Sequence, residues 1–207
     1  SIRSFLSTLP VALENDDIRI VHACWDSSAV SQLKECQSSA LEALQQYEDI
    51  IKKKIFSSAL EGTLAEQNQN PIKLLTSGKE ELLAEGENEY FTGGKWRRTK
   101  RSQWWKDYNE KQFVVFGHYW RTLSPRKDLH GQSIPENMLQ HGDKKNIPAL
   151  FDEKDPYMLL GAMQNCMCID YSVGRRFWER HNQFPLGSTG TSLAAFRFHQ
   201  KNDKQEL

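Results

Sequence analysis

Ile18-Arg19-Ile20-Val21-His22-Ala23-Cys24-Trp25-Asp26 and Phe113-Val114-Val115-Phe116-Gly117-His118-Tyr119-Trp120-Arg121 are the two stretches that decide the fold. Each opens on a short run of β-branched and aromatic residues, the composition of a buried strand. Each run ends on a histidine that a tryptophan soon follows. A polar residue at such an end sits where the chain leaves the core for the functional edge of an open sheet. Imidazole is the commonest metal ligand, so two such ends can deliver two ligands to one ion. Gly117, just before His118, lets the backbone turn tightly or approach a ligand closely. A lone histidine at a strand end is more often a hydrogen-bonded core or rim residue than a ligand, and the recurrence of the pattern brings the metal reading level with that plainer one.

Working outward, residues 1–9 read as the end of a helix stopped by Pro10. Asn15-Asp16-Asp17 between two apolar runs predicts a hairpin turn. Asp26-Ser27-Ser28 can cap a helix, although Asp26 is also close enough to His22 to serve a metal site. From about Ser38 to Leu60 the apolar spacing is helical, with Gly62 and the polar stretch 66–70 ending it. Pro71 fits the first turn of a second short helix. Glu80 to Glu89 reads as an exposed acidic stretch, and Tyr90 to Trp96 as strand, turn, strand. Polar residues from Leu123 to about Asp155 lead to a third strand end at Cys166–Ser172, carrying Asp170. Ser192–Phe198 has the composition of a final strand. The pattern predicts an α/β (α+β) chain, one domain across 1–207, with a mostly helical insertion at about 27–90 between the two histidine strands.

The chain has 207 residues, enough for a substantial core, and 27 basic residues balance 27 acidic ones. With no net charge, no global field favours nucleic acid or a membrane surface. No apolar run approaches the roughly 20 residues of a membrane span. Cys24, Cys36, Cys166 and Cys168 form no zinc-type pair spacing, which predicts reduced, mostly buried thiols and a cytoplasmic protein. The densest charge lies in Lys95-Trp96-Arg97-Arg98-Thr99-Lys100-Arg101-Ser102-Gln103-Trp104-Trp105-Lys106. Read as one strand, Arg97, Thr99 and Arg101 share a face. Guanidinium groups suit bidentate phosphate binding and the rings suit stacking on a base; a solvated basic strand with core tryptophans is the plainer alternative.

These motifs in this order resemble the calcineurin-like metallophosphoesterases, most closely the bacterial branch related to diadenosine tetraphosphatases and serine/threonine protein phosphatases. The resemblance rests on His-Ala-Cys-Trp-Asp at 22–26, Phe-Gly-His-Tyr-Trp at 116–120, Cys-Ile-Asp-Tyr-Ser-Val at 168–173 and Ala-Ala-Phe-Arg at 194–197. It implies part of a four-layer αββα sandwich with two divalent metal ions (Mn, Fe, Zn, Ni or Co) at the strand ends, acting on a phosphorylated small molecule or a phosphoprotein. On the same resemblance His22 and His118 bind one metal, and Asp170 supports the site as an orienting carboxylate. Arg98 and Arg101 are the candidates for gripping phosphate. The family's Asp-x-His and Gly-Asn-His motifs belong upstream of His22, where neither occurs, and Gly142-Asp143 is the chain's only Gly-Asp. The expectation is therefore the C-terminal half of a phosphoesterase, inactive by itself and partnered by the N-terminal half of the same protein. The alternative is a non-catalytic protein- or nucleic-acid-binding module, with nucleic acid disfavoured by the charge balance. Tyr119 and Trp120 fit either a substrate mouth or packing against the insertion. His130, His141, His181 and His199 read as exposed or capping residues.

Overall fold

The computed structural model describes residues 5, 8–92, 94–121, 150–151, 157–184, 186 and 190–198. Strands β1 (Ala12–Glu14) and β2 (Ile18–Val21) form the expected antiparallel hairpin. Asn15 closes it by accepting hydrogen bonds on Oδ1 from the amides of Asp17 and Ile18, at 2.9 and 2.8 Å. Four helices follow: α1 (Ser27–Glu35), α2 (Ala40–Lys52), α3 (Ala59–Asn68) and α4 (Pro71–Ser77). Asp26 caps α1 through the Ala29 amide at 2.8 Å, and Asn70 caps α4 ahead of Pro71.

The single helix predicted over 38–60 is two helices, and Gly62 lies inside the second of them. Ser39 and Glu42 form a reciprocal capping box that starts α2. Ser58 then accepts from the Glu61 amide while Glu61 bonds back to Ser57, so a second helix starts where the first was expected to continue. The acidic stretch is largely exposed as expected, but its first residues form a strand that the sequence reading did not include. Strand β3 (Glu80–Leu82) pairs with β6 (Thr99–Arg101), and β4 (Tyr90–Thr92) pairs with β5 (Lys95–Arg97). The basic run is thus two strands in two different two-stranded sheets, broken at Arg98, so the shared face predicted for Arg97 and Arg101 does not form.

The main sheet has the order β1-β2-β7-β8, with β7 at Phe113–Phe116 and β8 at Cys166–Cys168. Pairing is antiparallel between β1 and β2 and parallel from β2 to β7 and from β7 to β8. The period-2 alternation sends Val21, Val114, Phe116, Cys166 and Cys168 into one core with Ala29 and Val30 of α1, Leu74 and Leu75 of α4, and the indoles of Trp104 and Trp105. On the opposite face Leu13 and Ile20 keep 52% and 44% of their surface exposed. The expected final strand at 192–198 reduces to isolated bridges from Ser192 to Tyr171 and Ser172. Ser172 has φ of +56°, which turns the chain out of the ladder there. A short helix α5 (Arg176–His181) follows that turn. The architecture is mixed α and β with small sheets. Among the described residues all four cysteines are free, and no helix is long and apolar enough to cross a membrane.

Arg19 fastens the sheet to its surroundings. It lies on the core-facing side of β2, only 6% exposed, and its guanidinium contacts Glu14 at 3.3 Å, Glu110 at 2.8 Å and the Tyr108 hydroxyl at 2.8 Å. The Trp25 ring covers it at 4.7 Å. Removing one partner from such a network leaves the others without compensation. Arg19→Ala is expected to lower the free energy of unfolding by about 3 kcal/mol in a urea titration. Arg19→Met, which keeps the packing stem, is expected to lose less.

Candidate functional site

The two histidines meet because their strands are parallel neighbours. Ile20 stands opposite Val115, so both strands end at the same edge of the sheet. One further bond, Gly117 N–H to His22 carbonyl at 3.0 Å, extends the pairing past the strand ends. The chain then reverses within a single residue. Tyr119 N–H donates to the Gly117 carbonyl at 2.9 Å while His118 takes φ of +70°. That bond and that sign of φ describe a γ-turn of the rare, strained hand.

The turn throws the His118 ring onto His22. His22 Nε2 and His118 Nδ1 are 3.2 Å apart, with ring centroids at 5.1 Å and planes inclined by 60°. His22 is exposed, whereas His118 is half-buried and its Nε2 has no hydrogen-bond partner. Burial, then the positive charge of Arg101, then His22 push the His118 imidazole down from its ordinary 6.5 to about 4. At neutral pH the ring is uncharged, the state in which imidazole offers a lone pair to a metal.

The pair lines an open cleft of about 500 Å³ whose sheet-side lining is apolar, including Ile20 and Val115. Asp170 lines the same cleft, reached just past the end of β8. Its Oδ1 accepts from Ser172 N–H at 2.9 Å, and its backbone carbonyl accepts from Arg121 N–H at 2.9 Å. A Cβ placed on Gly117 would lie 3.5 Å from Asp170 Cβ, an ordinary van der Waals contact that marks these two strand ends as close neighbours.

The two candidate arginines are not equivalent. Arg98 is exposed on the strand break and pairs with Glu89 at 2.7 Å. Arg101, at the end of β6, lies close enough to bear on the charge of His118. Its Nη1 donates to the Ser77 carbonyl at 2.7 Å, and its guanidinium lies 5.2 Å from the centroid of the Tyr119 ring. Tyr119 is buried and Trp120 is exposed. His181 ends α5. His130, His141, His199 and Gly142-Asp143 fall outside the described residues, as does Asp128-Leu129-His130, an Asp-x-His that lies downstream of His118 rather than upstream of His22. The reading of the sequence missed the contacts of Ser77 and Gly78, whose only signal was a glycine placed to end a helix after Pro71.

The two ring nitrogens are in hydrogen-bond contact with each other, and their spacing would also suit two ligands of one ion. Metal–nitrogen bonds of roughly 2.1 Å place two ligands of one ion about 3.0 to 3.4 Å apart, for octahedral and tetrahedral angles respectively. The observed 3.2 Å between nitrogens falls in that interval. No group of three or more histidine, cysteine or acidic side chains able to hold a metal occurs among the described residues. Compared with models of protein families, with curated proteins and with solved structures, the chain matches none.

Because the folded-state value of His118 lies below its unfolded one, the unfolded chain takes up the proton first as pH falls. The stability that the neutral ring contributes is full above about pH 6.5 and is lost towards about pH 4. The urea midpoint is therefore expected to fall between pH 7 and about 4.5. In His118→Asn, whose side chain tolerates positive φ, this decline is expected to flatten; an undiminished decline would contradict the assignment.

Proposed function

We propose that this chain is part of a metal-dependent phosphoesterase, and that His22 and His118 are ligands of one of its divalent ions. The observation that carries the reading is the pair of imidazole nitrogens 3.2 Å apart at two parallel strand ends, one ring held neutral. Remaining ligands come from outside the described residues, in the N-terminal half of the same protein. When bound, a pair of divalent ions supplies charge for the phosphoryl oxygens and activation of water for in-line attack. Arg101 binds and orients the phosphoryl group beside the histidines. Asp170, turned by its bond to Ser172, supports the cleft wall next to Gly117. Arg98, turned to Glu89, serves phosphate less directly.

On this reading the exposed apolar sheet face at Leu13 and Ile20 packs against a second sheet in the complete protein, giving a four-layer αββα sandwich. The substrate is a phosphomonoester of a small molecule or protein, or a dinucleoside polyphosphate, in a reducing cytoplasmic setting that suits four free thiols.

In the complete protein, His22→Ala and His118→Ala are each expected to reduce metal-dependent hydrolysis of p-nitrophenyl phosphate by at least about 100-fold. Circular dichroism is expected to show the fold retained. Full activity in both variants would exclude the ligand assignment.

A further inference from the structure

We propose that Tyr119 and the end of α4 form a clasp that positions Arg101 beside His118, making the helical segment a working part of the anion site. The inference rests on the phosphate role assigned to Arg101 and adds what holds it there. An arginine at the exposed end of a two-stranded sheet ordinarily samples many rotamers. Two contacts on different groups of this molecule restrict Arg101. The Ser77 carbonyl, at the last residue of α4, accepts from Nη1 at 2.7 Å and so fixes one corner of the guanidinium. The Tyr119 ring underlies its face at 5.2 Å.

Tyr119 can act as a fixed platform because its own ring is held on several sides. Trp105 and Phe116 pack edge to face with it at 6.0 and 5.8 Å, and His118 stands edge-on at 5.6 Å. Its hydroxyl is buried without a hydrogen-bond partner and abuts Gly78. A Cβ at Gly78 would lie 1.9 Å from that oxygen, and the residue's φ of +87° is itself glycine territory. Glycine at 78 is thus what lets the end of α4 close on Tyr119 while Ser77, one residue earlier, reaches Arg101. The same tyrosine ring touches both the arginine and the neutral histidine, so their spacing is set by one rigid body. Tyr119 and Ser77 are positioning residues: neither needs to meet the substrate.

The test uses side-chain nitrogen NMR of arginine on this chain, with inorganic phosphate as the probe. Wild type is expected to give resolved, slowly rotating Arg101 guanidinium signals that shift as phosphate is added. Tyr119→Phe keeps the ring and removes only the unpaired hydroxyl, so it is expected to preserve both. Tyr119→Leu is expected to collapse the resolved signals and weaken phosphate binding about fivefold. Wild-type Arg101 signals averaged like those of an unrestrained surface arginine overturn the clasp without recourse to any variant. So does a folded Tyr119→Leu that keeps both the signals and the affinity. Phosphate affinity unchanged in Arg101→Ala overturns the phosphate role alone, and the guanidinium signals still decide the clasp.

Discussion

Parallel pairing of β2 with β7 is the constraint on which everything else depends. Parallel strands end at the same edge, and the register of Ile20 against Val115 makes these two ends level. One extra bond, from Gly117 to the His22 carbonyl, carries the alignment past the strands. A slip by one residue would turn one of the two histidines to the other face of the sheet. The crossover that parallel pairing requires is here the helical segment and two small sheets. It occupies the length of chain between the two histidines and also returns to the site, through Ser77 and Gly78.

Two costly features sit side by side at this edge and have compensations nearby. His118 holds a positive φ in a strained turn, and its ring is half-buried with one nitrogen unpaired. The flanking bonds of Gly117 and Tyr119 over-determine the backbone, while the packing of Tyr119 among Trp105 and Phe116 fixes the ring's neighbour. Strain concentrated where two potential ligands meet is the pattern expected of a functional position. The charge of Arg101 helps keep His118 neutral. The Arg19 network below the same strand is a different case, because every partner in it is internal to the fold.

Much of the local structure was legible because it depends on neighbouring residues. The Asn15–Asp17 hairpin, the Asp26 cap and the proline-started α4 all follow from side chains bonding to nearby backbone. The break between α2 and α3 was equally local, but the reading gave the apolar spacing more weight than the Ser57-Ser58 cap. The β4–β5 hairpin follows the strand, turn, strand reading of Tyr90 to Trp96, whereas the pairing of β3 with β6 was not legible, since partners about twenty residues apart leave no periodic trace. The site divides the same way. His22, His118 and Asp170 were found from strand ends, and they line one cleft. Nothing in the order of residues separated Arg98 from Arg101. A strand break and the contact with α4 separate them. The sign of φ at His118 and the neutrality of its ring arise from tertiary burial, which the motif alone does not encode.

The most direct test of the central claim is a titration of this chain with manganese(II), followed through the side-chain nitrogen resonances of its histidines at pH 7. If His22 and His118 act as a ligand pair, both imidazoles broaden together at substoichiometric metal, ahead of the other histidines. Equal broadening of all six, or broadening of one of the two alone, would contradict it.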